Sequence, residues 1–237
     1  MRRLWIPLAS LALLAACQPL IEKPREPELP FEPEIQPVGE QQAETVNEGE
    51  EEATQEQAPV GLTIVERLLP NGFLEIGNRE APVTLLVFTE HHCRYCKDFY
   101  HEHFLKLHKD FIEPGKLKLQ IAILPVKKYL RTEQAAAGLL CAALQGKGIP
   151  MHELLLELGA ADTKTLMSEA TTLELDTKVF AVCLDDPETA KLIELQASLA
   201  RSLDVTLVPT FFLNGEKSVG LPYYPDFKGL IEAALSP

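Results

Sequence analysis

The residues of this chain that could do chemistry gather in one short stretch, His91-His92-Cys93-Arg94-Tyr95-Cys96. Two thiols three positions apart can close into a small disulfide ring. At the start of a helix the first sulfur would face free N–H groups and the positive end of the helix dipole, which stabilise a thiolate. The thiolate at Cys93 is the species that attacks disulfides, and Cys96, one turn in, is placed to resolve the mixed disulfide. Half of a zinc knuckle has the same spacing, but the chain holds no second CxxC and no HxxxH. A purely structural disulfide is disfavoured because so tight a ring is strained.

Histidines surround the pair in sequence: His91, His92, His101, His103 and His108. Thiolate and imidazole together suit copper or zinc, so a metallochaperone using Cys93, Cys96 and these histidines is the rival reading. On a helix His101 projects beside Lys97, and solvated surface histidines are the simpler account, so no metal ligand is assigned. His92, as the immediate predecessor of Cys93, is positioned to polarise it. A tethered binding module with an incidental cysteine pair is the third class.

The elements that must position these residues follow from periodicity. Val83 to Thr89 is a continuous apolar run, as in a central strand, and the cysteine stretch comes straight after it. Tyr100, Phe104, Leu107 and Phe111 then repeat at helical spacing along one face. Phe73 to Ile76, after the Asn71-Gly72 turn, and Lys118 to Leu124, before Pro125, read as two more strands. Thr132 to Leu203 is rich in Ala, Leu and Glu, with Pro187 near a helix start; it predicts three to five helices and no strand. Thr210 to Leu213 and Lys217 to Val219 flank Asn214-Gly215, a hairpin signal, and an amphipathic helix spans about 225–235. The fold class is therefore α/β, a mixed sheet interrupted by helices.

Composition bounds the rest. The 237 residues are 46% hydrophobic and 24% charged, with 22 Lys plus Arg against 35 Asp plus Glu, a formal net charge of −13. That acidity argues against nucleic-acid binding, and no run of eighteen apolar residues exists to make a multi-span membrane protein. The charge is uneven. Residues 18–60 hold twelve Glu, no Asp, seven Pro and only Lys23 and Arg25 as basic residues, a net −10. Such a segment cannot bury enough apolar surface to order itself, so a disordered Glu/Pro-rich tether is expected. Before it, residues 1–17 read as an export signal: Arg2 and Arg3, a short apolar run, then Leu14-Ala15-Ala16-Cys17. That tetrapeptide resembles the bacterial lipobox, which implies lipidation at Cys17 and anchoring to a membrane. Gln18 after it leans towards the outer membrane. Export strengthens the redox reading, because an oxidising compartment is where such a pair acts.

Four stretches together carry a family resemblance: Gly77 to Val83 (GNREAPV), Cys93 to Phe99 (CRYCKDF), Gln134 to Lys147 (QAAAGLLCAALQGK) and Val208 to Gly215 (VPTFFLNG). Residues 77–235 resemble the DsbA-like branch of the thioredoxin superfamily, the exported thiol:disulfide oxidoreductases. The resemblance implies a thioredoxin fold over 61–237 with a helical insertion at about 131–203. It also implies that Pro209 is a cis-proline whose loop, with Val208, faces the active-site pair and holds a substrate chain as an added strand. Cys141 and Cys183, both in the insertion, are then a structural disulfide, with two buried free thiols as the alternative; Cys17 accounts for the odd cysteine count.

Departures from the family pattern shape the expectations. Arg94 stands where many relatives have proline, and a guanidinium beside Cys93 is expected to favour its thiolate further. Val87 stands where relatives often carry a buried acid. Glu90, three before Cys93, either carries the proton in its place or is a surface acid. Tyr95 completes the tetrapeptide. The expected function is an exported, lipid-anchored, periplasmic oxidoreductase, a monomer needing no cofactor. Its partners would be exported substrate proteins with thiols or disulfides and a membrane redox protein that reoxidises the pair. Run backwards, the same parts make a reductase.

Overall fold

A computed structural model describes residues 65–159 and 161–236 of the chain. The export signal, Cys17 and the acidic tether lie outside the described residues.

Among those residues one mixed sheet contains β1 (Glu66–Leu68), β2 (Leu74–Ile76), β3 (Val83–Thr89), β4 (Leu117–Ile123), β5 (Thr210–Leu213) and β6 (Glu216–Val219). Their spatial order is β1-β2-β4-β3-β5-β6. β3 and β4 run parallel in the middle, and the flanking pairs are antiparallel. Side-chain alternation divides the core between the two faces. Val83, Leu85 and Val87 of β3 join Leu117, Leu119, Ile121 and Ile123 of β4 in the larger apolar cluster. Phe88 and Ala122 point the other way, where Phe73, Phe212, Ala200 and Val205 cover them. Both faces of β3 are covered over its second half, where the sequence reads Leu85-Leu86-Val87-Phe88, while β4 carries the half-buried Lys118 and Gln120 in its first half and is apolar from Ile121 to Ile123.

β4 sits one residue earlier than the Lys118 to Leu124 pattern suggests, since Leu117 takes the first pairing position opposite Val83 and Ile123 the last opposite Thr89. β1 has no strand signature in E-R-L; contacts made elsewhere in the fold hold it. Arg67 Nε donates to Glu75 on β2 at 2.8 Å, and the Glu66 carboxylate accepts the backbone N–H groups of Gly148 and Ile149. In the β5–β6 hairpin, Asn214 (φ 48°) and Gly215 (φ 91°) both take the positive φ that a two-residue turn of this hand requires.

After β3 the chain enters α1 (Arg94–Phe99), which continues through a π-helical turn (Tyr100–Phe104), α2 (Leu105–Leu107) and a second π turn (His108–Ile112). Tyr100, Phe104, Leu107 and Phe111 share the buried face. The insertion between β4 and β5 consists of α3 (Thr132–Ala143), α4 (Gly148–Leu158), α5 (Thr163–Thr172), α6 (Thr177–Leu184) and α7 (Pro187–Ser202). Asp162, Asp176 and Asp186 cap α5, α6 and α7 through their side chains, and Pro187 opens α7. α3 is buried almost all round and forms the insertion's core; a disulfide joins its Cys141 to Cys183 of α6, Cα–Cα 5.7 Å. α8 (Tyr224–Leu235) closes the chain. Its Phe227 ring lies 5.2 Å from Phe211 of β5, which is itself 4.9 Å from Phe99 of α1. Each ring buried there contributes about 2–3 kcal/mol, and together they fix the cysteine helix on the sheet.

Candidate active site

β3 ends at Thr89, and the turn Glu90-His91-His92 delivers Cys93 as the N-cap of α1, in extended conformation (φ −77°, ψ 113°). Its sulfur accepts the Cys96 N–H at 3.2 Å, and its carbonyl accepts from Cys96 and Lys97. Cys93 and Cys96 form a disulfide with Cα–Cα 5.2 Å. The two sulfurs differ in access. Cys96 is 1% exposed in the same apolar cluster as Val87, whereas Cys93 is only partly buried. An incoming thiolate therefore meets Cys93 first, and on reduction the helix N–H groups stabilise the charge left there.

The Val208–Pro209 peptide is cis. Val208 brings its carbonyl oxygen to 3.4 Å from Cys93 Sγ, so this loop and the cysteine helix meet at the reacting sulfur. Leu207 before it and Tyr95 between the cysteines are both well exposed.

Arg94, expected to favour the Cys93 thiolate, lies at the surface of α1. Its side chain is 88% exposed and reaches Asp98 one turn along at 3.8 Å. Water and Asp98 both screen a charge so placed.

Glu90 is not a surface acid. It is 1% exposed, and both its oxygens are taken by His92: the backbone N–H at 2.8 Å and ring Nδ1 at 2.9 Å. The His92 ring stacks on Tyr129, centroids 4.6 Å apart and planes within 7°. On the α4 side it rests against Gly159, whose left-handed backbone (φ 73°) ends the helix and where a Cβ would stand 3.4 Å from His92 Cδ2.

The remaining histidines correct the picture of solvated imidazoles. His91 is buried and pairs with His152 of α4, Nε2 to Nδ1 at 3.2 Å; burial, then the neighbouring rings, push His91 well below its ordinary 6.5, and burial holds His152 at about 4. His103 and His108 are buried too, and His103 Nε2 meets the Pro222 carbonyl at 2.9 Å. His101 is exposed, yet it shares Glu157 of α4 with Lys97 (2.7 and 2.5 Å). Among the described residues no group of three or more His, Cys, Asp or Glu is arranged to hold a metal ion. Sequence reasoning missed His152 and Tyr129, which lie far from Cys93 in the chain and carry no motif.

A thioredoxin family model matches residues 71–233. The chain belongs to the thioredoxin family. Within it, the chain is similar to disulfide bond formation protein D of Bacillus subtilis, 24% identical over 177 residues, 68% of this chain and 76% of that protein. It is also 33% identical over 151 residues, 62% of this chain, to the Na(+)/H(+) antiporter NhaA 3 of Salinispora tropica, spanning only 22% of the antiporter's length. Solved thioredoxin-fold structures similar to it include α-DsbA1 of Wolbachia pipientis (TM-score 0.62, 22% identity, covering 71% of this chain and 93% of that one). Oxidised BdbD of Bacillus subtilis gives 0.60 and 24%, covering 68% and 91%. The thioredoxin fold that the four motifs imply is thus shared with these structures, and one of the sequence relatives is named for disulfide bond formation. As in the sequence reading, this thioredoxin sheet is interrupted by a helical insertion. No helix among the described residues is long and apolar enough to cross a membrane.

Proposed function

We propose that this thioredoxin-family protein is an exported thiol:disulfide oxidoreductase, held to a membrane by lipid at Cys17, that oxidises protein thiols through Cys93–Cys96. One observation supports this above all: a partly exposed sulfur caps a helix and sits 3.4 Å from the carbonyl before cis-Pro209, with its disulfide partner buried behind it. The relative called disulfide bond formation protein D points the same way.

In the first step a substrate thiolate attacks Cys93 Sγ; the new S–S bond forms as the Cys93–Cys96 bond breaks, its electron pair going to Cys96. The substrate chain lies along the Val208–Pro209 loop as an added strand. A second substrate thiolate then attacks the substrate sulfur of the mixed disulfide, and Cys93 leaves as a thiolate stabilised by the helix N–H groups. The substrate gains a disulfide, and the protein holds two electrons, which a membrane redox partner accepts. Cys141–Cys183 has a structural role. Gln18 favours the outer membrane, so the protein acts in the periplasm on exported proteins.

Equilibrating the full chain in glutathione buffers tests the direction. A reduction potential of the Cys93–Cys96 pair at or above about −150 mV marks an oxidant. A value below about −230 mV makes it a reductase, and no redox transition at all overturns the reading.

A further inference from the structure

One side of the active-site turn carries groups that the exchange chemistry does not use. After β4 the chain runs Pro125-Val126-Lys127-Lys128-Tyr129-Leu130-Arg131 before α3 begins. A turn holds this segment, the Tyr129 N–H donating to the Val126 carbonyl at 2.9 Å. Tyr129 ties it to the active site, because its ring stacks 4.6 Å from that of His92, the residue next to Cys93. Lys128 Nζ stands 5.5 Å from the centroid of the same tyrosine ring. The ammonium is therefore within the sum of those two distances of the His92 imidazole.

The three cations of this segment are not equivalent, in a chain whose formal net charge is −13. Arg131 Nη1 lies 3.5 Å from Asp162, and Lys127 lines a cleft that Glu133 and Glu194 also line. Lys128 is exposed and has no ion pair among the described residues. Beside it Leu130 is 85% exposed and Tyr129 37%. A carboxylate brought to Lys128 gains an ion pair, and the apolar side chains alongside displace part of the water that would screen it.

We propose that the turn Lys128-Tyr129-Leu130 is a specificity site that selects substrate chains carrying Asp or Glu a few residues from the reacting cysteine. This deepens the oxidoreductase reading and rests on it. An extended chain advances about 3.3 Å per residue, so a residue three to five positions from the cysteine held at Cys93 stands about 10–17 Å away. That is the reach needed to cross the His92 and Tyr129 rings. The acidic surplus of the chain as a whole repels such substrates, so a lone cation beside the site fixes where their carboxylates settle. The exchange of S–S bonds is unchanged; the turn adds affinity before it begins.

Oxidation of dithiol peptides by the full-length protein tests this, with peptides identical except for Glu, Gln or Lys three to five residues from a cysteine, on either side. At low ionic strength kcat/KM should fall in the order Glu, Gln, Lys, by about three- to fivefold from first to last, and the spread should close at about 0.5 M salt. Lys128→Glu should reverse the order, whereas Lys178→Glu, the same charge change on the exposed surface of α6, should keep it. Equal rates across the set, or an order that survives Lys128→Glu, would overturn the assignment. Phosphatidylglycerol vesicles that bind the unsubstituted protein but not Lys128→Glu, with the peptide order the same in both, would also overturn it and give the turn to an anionic lipid surface. If no peptide is oxidised at all, the oxidoreductase reading falls, and this site falls with it.

Discussion

The two disulfides of this protein are the same bond in opposite surroundings. Cys93–Cys96 closes a separation of 3 residues at a helix N-terminus, with one sulfur partly open to solvent and a carbonyl close beside it. Cys141–Cys183 spans 42 residues inside the insertion, both cysteines buried, with Thr189 Oγ1 3.5 Å from Cys183 Sγ. The first has access and backbone N–H groups ready for a thiolate. The second has neither and instead restrains the unfolded chain. Reactivity here is a property of place, and α4 links the two places: it packs on α3 in the insertion while His152 and Gly159 meet the active-site turn.

Breaking each bond should expose the difference. Cys93→Ser should lower thiol oxidation by at least about 10³-fold, because the attacked sulfur is gone, while the melting temperature moves little. Replacing Cys141 and Cys183 together by Ala should do the reverse. Closing 42 residues is worth about 4 kcal/mol on chain-entropy arithmetic, read by chemical denaturation, with oxidation at 25 °C nearly unchanged. Equal effects of the two substitutions on rate and stability would erase the distinction.

The histidine contact at the joint gives a pH signature. His91 and His152 stay neutral in the folded protein, with His152 held at about 4, while in the unfolded chain both titrate near 6.5. Below pH 6.5 the unfolded state binds more protons. Their contribution is thus fully present above 6.5 and is lost as pH falls toward about 4. His152 alone accounts for about 3 kcal/mol over that window. Denaturation at pH 7 and pH 4.5 should show the fall, and exchanging both histidines for Phe should flatten it. The smallest effect belongs to Arg94. Arg94→Ala should change the oxidation rate less than about twofold, because the guanidinium is solvated and paired with Asp98. A larger loss would return the thiolate's stabilisation to that side chain.

Much of this molecule is legible along the chain. β3 is a buried strand with apolar residues on both faces, so its run from Val83 to Thr89 is continuous, and a hairpin whose turn needs positive φ leaves Asn214-Gly215 as its mark. The CxxC after a strand needs only local spacing to suggest a helix cap. Hydrophobic period and turn chemistry are local, and they determine fold class and the place of the reactive pair.

What only the tertiary structure decided is which groups meet. Nothing in E-R-L announces β1, because Glu75 and the start of α4 hold it there. Glu90 becomes buried, and Arg94 is drawn to its own helix surface. His91 finds His152 sixty-one residues away, and His92 is clamped by Tyr129 and Gly159. Burial and partners set the chemistry of an ionisable side chain, and both are properties of chain segments brought together in space.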